Sequence, residues 1–192
     1  MGLLEEREYK GLYQQVCTLH DQAQLLKDLF GNADDLAVLN RCAPGAFVTI
    51  RHSLLDGVIL GIVRIINDKN RKSLTLTELR KTSHGKAEER ELSELLKKLD
   101  LCVFTLCEHR NKRIGHYDKD VADGSRVLSP VFVEDIEISL SLIREFMNMF
   151  SASNGGPEIG FENGISLGDG KSLVRIVKHG AARIDAIHGG KS

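Results

Sequence analysis

Leu92-Ser93-Glu94-Leu95-Leu96-Lys97-Lys98-Leu99-Asp100-Leu101-Cys102-Val103-Phe104-Thr105-Leu106-Cys107-Glu108-His109-Arg110-Asn111-Lys112-Arg113-Ile114-Gly115-His116 reads as a helix that ends in a cluster of cations and imidazoles. Leu92, Leu96, Leu99, Val103 and Leu106 recur at steps of three and four, the period of one helical face. The same steps reach Arg110, so a helix predicted from about Lys86 to Ile114 carries a guanidinium at the end of its apolar stripe. A charge aimed at a packed seam needs a partner. At roughly 100° per residue, His116 lies about 120° round the axis from Arg110. Their side chains meet only through the reach of Arg110, a break near Gly115 or a second protomer.

Working outward, the chain repeats this helical period. Tyr9, Leu12, Val16, Leu19, Ala23, Leu26 and Phe30 predict one helix from Leu3 to Phe30, ended by Gly31-Asn32. A short helix over Asp34 to Cys42 stops at Pro44-Gly45. Phe47 to Asn67, with Ile50, Leu54, Val58, Ile62 and Ile65 in register, predicts the central buried helix. Arg64 stands four residues before Asp68, the spacing of a helical ion pair. Thr75 with Glu78 fits a capping box that opens a short helix. Tyr117 to Ser129 is a polar loop, and Pro130 precedes a helix through Ile136, Leu140, Ile143, Met147 and Phe150.

The expectation is therefore an all-α bundle over 1–150. A linker over 151–170 follows, where six glycines and one proline gather, and then a short C-terminal helix and tail over 171–192 that acts as an accessory.

Composition bounds the function. The chain has 192 residues, 28% charged and 42% apolar, which suits one domain with a real core. No apolar run reads as approaching the roughly 20 residues of a membrane span, and the acidic start at Glu5-Glu6 does not resemble a secretion signal, so a cytoplasmic, non-membrane protein is expected. Cys17, Cys42, Cys102 and Cys107 contain no Cys-x-x-Cys pair and read as free thiols. A formal net charge of -1 confines any nucleic-acid contact to a local patch.

Arg110, Asn111 and His116 are the candidate chemical residues, with Lys112, Arg113 and His109 as candidate RNA contacts. An imidazole moves protons near neutral pH, and a guanidinium holds phosphate charge in a planar fork. The plainer reading is that cations at a helix C-terminus offset its dipole. His109, His116 and Asp118 lack the four-residue spacing of helical zinc ligands, so no metal and no cofactor is expected. Gly168-Asp169-Gly170-Lys171-Ser172 resembles part of a phosphate-binding loop, but Ile165 stands where that motif requires glycine.

Arg110 and Asn111 followed by His116 resemble the signature of the HEPN superfamily: an Arg, usually a polar residue after it, and a His after four to six positions, here five. Leu54-Leu55-Asp56, Ile59 to Asp68 and Lys72-Ser73-Leu74-Thr75-Leu76, in that order before the motif, resemble its abortive-infection U-like branch over roughly Phe47 to Phe150. The resemblance implies a helical bundle, commonly a homodimer, in which Arg and His of both subunits share a cleft. It implies Arg110 and His116 as a catalytic pair that cuts RNA without metal, and Asn111 as the orienting polar residue, in a defence or toxin–antitoxin setting.

The competing expectations are a HEPN-type module that binds RNA, nucleotide or a partner protein without cutting, and a structural scaffold in which Arg110 pairs with a carboxylate of its own monomer. An antitoxin or a nucleotidyltransferase is a possible partner. A sister branch carries a modified tyrosine two residues after the motif His, whereas Tyr117 is adjacent to His116.

Overall fold

In the computed structural model, residues 3–67, 73–83, 85–116, 118–161 and 169–189 are described, and among them every regular element is helical. The elements are α1 Leu3–Phe30, α2 Ala33–Cys42, α3 Pro44–Asn67, α4 Leu76–Arg80, α5 Lys86–Cys102, α6 Phe104–His109, a π turn Arg110–Ile114, α7 Lys119–Ala122, α8 Val133–Ser153 and α9 Gly170–Gly189. The all-α expectation holds. Local chemistry sets the starts: Asn32 accepts the Asp34 and Asp35 amides ahead of α2, and Thr75 accepts the Glu78 amide ahead of α4. Pro44 opens α3 rather than ending α2, because a proline needs no amide donor in a first turn.

Two compact units result: 1–20 with 56–164, and 21–55 with 165–192. In the first, α5 packs against α8 and α4 against α5. Leu92, Leu99 and Leu106 are buried there, as are Ile143, Phe146 and Met147. Gly61 of α3 lies so close to Leu19 of α1 that a Cβ would overlap the Leu19 side chain. The Asn148 side chain brackets Ile159, donating to its carbonyl and accepting its amide, each at 2.9 Å. Phe161 is buried against Tyr13, ring centroids 5.4 Å apart.

In the second unit, α9 packs on α2. Val174 joins Leu29, Leu39 and Phe47 in one core. Asp169 caps α9 by accepting the Ser172 amide at 2.7 Å, so the described part of the loop-like motif, from Asp169 to Ser172, is a helix start. The Arg41–Asp185 and Lys178–Asp35 ion pairs clamp the helix edge.

This division differs from the expected bundle, linker and tail. Glycine content weakens a helical pattern, but it does not stop an amide side chain from fastening the backbone at Ile159, and α9 contributes to a core. The central helix also differs: Val58, Ile59, Ile62, Val63, Ile65 and Ile66 of α3 are buried, whereas Val48, Ile50 and Leu60 are 48%, 36% and 39% exposed. By length and composition alone, Pro44–Ile66 is long and apolar enough to cross a membrane, which corrects the expectation that no run approaches that length. Arg51, Asp56 and Arg64 interrupt the run in sequence without lowering its average enough. Arg64 donates to Gln15 at 3.2 Å; Asp68, its expected partner, lies outside the described residues.

Candidate functional site

The expected single helix from Lys86 to Ile114 arrives at the motif in three pieces. Val103, at φ -89 and ψ 6, bends the chain between α5 and α6 while keeping its amide on the Leu99 carbonyl. Apolar spacing is blind to that bend, since Leu99, Val103 and Leu106 stay buried on both sides of it. At Arg110 the ladder widens. The Gly115 amide reaches the Arg110 carbonyl, five residues back, at 2.7 Å, and the Asp118 amide reaches Lys112 at 2.7 Å. Single π turns of this kind concentrate at functional sites. A Cβ on Gly115 would sit 2.8 Å from the Arg110 carbonyl oxygen, so glycine is what permits the closure. The helix ends at Ile114, and the exposed His116 lies beyond the break. Tyr117 lies outside the described residues.

The cluster's side chains divide by employment. Lys112 pairs with Glu108 at 2.9 Å, and Arg126 reaches the same carboxylate at 3.3 Å. Glu108 is held below the usual carboxylate range, first by the Lys112 hydrogen bond and then by the surrounding positive charge. Arg113 pairs with Asp56 of α3 at 2.5 Å and donates through Nε to His109 Nδ1 at 3.2 Å. The other ring nitrogen of His109 lies 2.7 Å from the Ser129 carbonyl. That network assigns His109 a neutral ring, accepting at Nδ1 and donating at Nε2. Both nitrogens are thereby committed within the fold, leaving neither for a metal.

Arg110 differs from its neighbours. It is half-buried and donates to Asn111 Oδ1 at 2.8 Å, and among the described residues it has no carboxylate partner. The scaffold reading required that carboxylate. Asn111, with its oxygen so engaged, keeps its amide N–H groups turned elsewhere, and burial pushes the neighbouring Cys107 thiol up. Sequence spacing singles out Arg110, Asn111 and His116 as candidates and assigns no role to Asp56, Glu108, Arg126 or Ser129. For Asp56 a signal existed: it is the one acidic residue of the largely apolar α3, and a lone carboxylate there calls for a cation.

The family model of AbiU2, a HEPN domain, matches residues 6–149. The chain belongs to the HEPN AbiU2 family. No curated protein and no solved structure matches it. The AbiU2 match takes in the π turn and both motif residues. It also begins earlier than the stretch whose sequence resembled this branch, adding α1 and α2 to the domain.

Proposed function

We propose that this HEPN AbiU2 protein is a metal-independent endoribonuclease of a defence or toxin–antitoxin setting, working in the cytoplasm as a homodimer. Arg110 and His116 of both copies would face one cleft. The observation that carries the reading is the guanidinium of Arg110: Lys112 and Arg113 pair with Glu108 and Asp56, while Arg110 donates to Asn111 and, among the described residues, has no carboxylate partner. A half-buried cation without a carboxylate is suited to phosphate, which it meets through two parallel N–H bonds.

The chemistry follows from RNA itself. His116 takes the proton of the 2'-hydroxyl, the 2'-oxygen attacks the adjacent phosphorus, and the 5'-oxygen leaves with a proton. The products are a 2',3'-cyclic phosphate and a 5'-hydroxyl. Two copies of His116 supply a base and an acid at once. Arg110 stabilises the charge that builds on the phosphorane oxygens, and Asn111 fixes the plane of that guanidinium. Support for association comes from Leu101 and Phe104, 81% and 68% exposed nine and six residues ahead of Arg110. Large apolar side chains left in water on a motif helix mark a contact surface.

The test is RNA cleavage by the parent, Arg110→Ala and His116→Ala, with melting measured beside activity. His116→Ala is expected to lose about 10²–10⁴ in rate. Arg110→Ala is expected to lose about 10²–10³. Both should melt as the parent does, because among the described residues neither side chain is hydrogen-bonded to another element. Two folded variants that cut at the parent rate would end this reading. A parent that grips RNA but never cuts it would favour the binding module.

A further inference from the structure

We infer that Asp56 is a positioning residue for the motif, acting through Arg113 and His109 to hold the π turn in the orientation that presents Arg110 and His116. This rests on the ribonuclease reading above and names a part of the same site that the motif does not contain.

The chain of contacts is continuous. Asp56 of α3 takes Arg113 Nη2 at 2.5 Å, Arg113 Nε meets His109 Nδ1 at 3.2 Å, and His109 Nε2 meets the Ser129 carbonyl at 2.7 Å. Three separate stretches, α3, the π turn and the loop before α8, are thus tied by side chains at one point. Asp56 and Arg113 are each about one-third exposed, at 31% and 33%, so their bond is shielded from water on most sides. Short charge-assisted bonds of this kind are roughly twice as strong as neutral ones.

A second brace, Glu108 with Lys112 and Arg126, holds the other edge of the same turn. A π turn has poorer packing of its own than an α-helix, so its shape needs such outside support. Displacing reacting groups by about 1 Å costs on the order of 10²-fold in rate. Asp56 touches no substrate in this account; it sets where Arg110 and His116 stand.

The experiment uses the full chain with a short single-stranded RNA oligonucleotide. The variants are Asp56→Asn, Asp56→Glu, Arg113→Gln and the double variant Asp56→Asn with Arg113→Gln, all assayed well below their melting temperatures. Asp56→Asn is expected to lower kcat by roughly 10- to 100-fold with KM changed little, because orientation rather than binding is lost. The double variant should lose no more than the worse single one, since both cut the same strut. Asp56→Glu should recover part of the rate.

A merely structural role would lower melting without splitting kcat from KM and without rescue by Glu. Parent-like kcat in a folded Asp56→Asn would overturn the inference, as would fully additive losses. If the parent cleaves no RNA, the ribonuclease reading fails, and Asp56 is judged on affinity for the same oligonucleotide. Weaker binding by Asp56→Asn than by the parent would then uphold positioning, and equal binding would reject it.

Discussion

Arg110 and Arg113 stand three residues apart with opposite employment: Arg113 is spent on Asp56, while Arg110 donates to the neighbouring Asn111 and has no carboxylate partner among the described residues. That contrast is electrostatic, and so is the behaviour of the nearby Glu108. Lys112 donates to its carboxylate, and the charges of Lys112 and Arg126 favour its ionised form, so its folded pKa lies below the unfolded one. The stability it contributes is therefore present above the ordinary glutamate range, about pH 4.3, and is lost as pH falls through the lowered folded value. Glu108→Gln should melt below the parent at neutral pH. The gap should close as pH drops below the ordinary glutamate range and through the lowered folded value. A gap that stays constant down to strongly acid pH would show that Glu108 acts through something other than its charge. Arg110, Asn111 and His116 stand out as candidates in the sequence because all three lie on one short stretch. The Asp56 partner of Arg113 does not, since it sits on another helix and no local period links them.

Among the elements, the helices that bury a regular stripe were readable almost to the residue. α1 spans Leu3–Phe30 as its apolar spacing predicts, and Gly31 with Asn32 follows it. α8 buries Ile136, Leu140, Ile143, Met147 and Phe150 on the expected face. The π turn was invisible, because its extra residue is absorbed among polar side chains that carry no hydrophobic signal. Gly115 is where the turn depends on a single hydrogen atom in place of a methyl. In an ordinary helix, Gly→Ala is favourable by about 1 kcal/mol. Here the new Cβ would meet the Arg110 carbonyl at 2.8 Å, so the turn must open and carry Arg110 with it. Gly115→Ala is expected to lower the melting temperature by a few degrees and to cut RNA on the order of 10²-fold more slowly. A variant that melts higher than the parent and keeps its rate would mean that the turn is not under this constraint.

Over the whole molecule, residues 6–149 carry the HEPN AbiU2 family match, while α9 lies beyond it and contributes Val174 to a core with Leu29, Leu39 and Phe47. A glycine-rich sequence announced a linker between them; its pattern held no trace of Asn148 fastening Ile159 or of Phe161 entering the interior. Fold class was thus open to reading from period alone, whereas the grouping of helices depends on contacts between distant segments. The central claim is that this protein cuts RNA with its own side chains and the substrate's 2'-oxygen. The most direct measurement is the end chemistry of an RNA oligonucleotide incubated with purified parent protein and excess chelator, beside the same oligonucleotide carrying one 2'-deoxy residue at the cleaved position. The expected products are a 2',3'-cyclic phosphate and a 5'-hydroxyl from the first, with no cleavage at that position in the second. Cleavage that stops when chelator is added, or that proceeds unchanged through the 2'-deoxy residue, would contradict the claim.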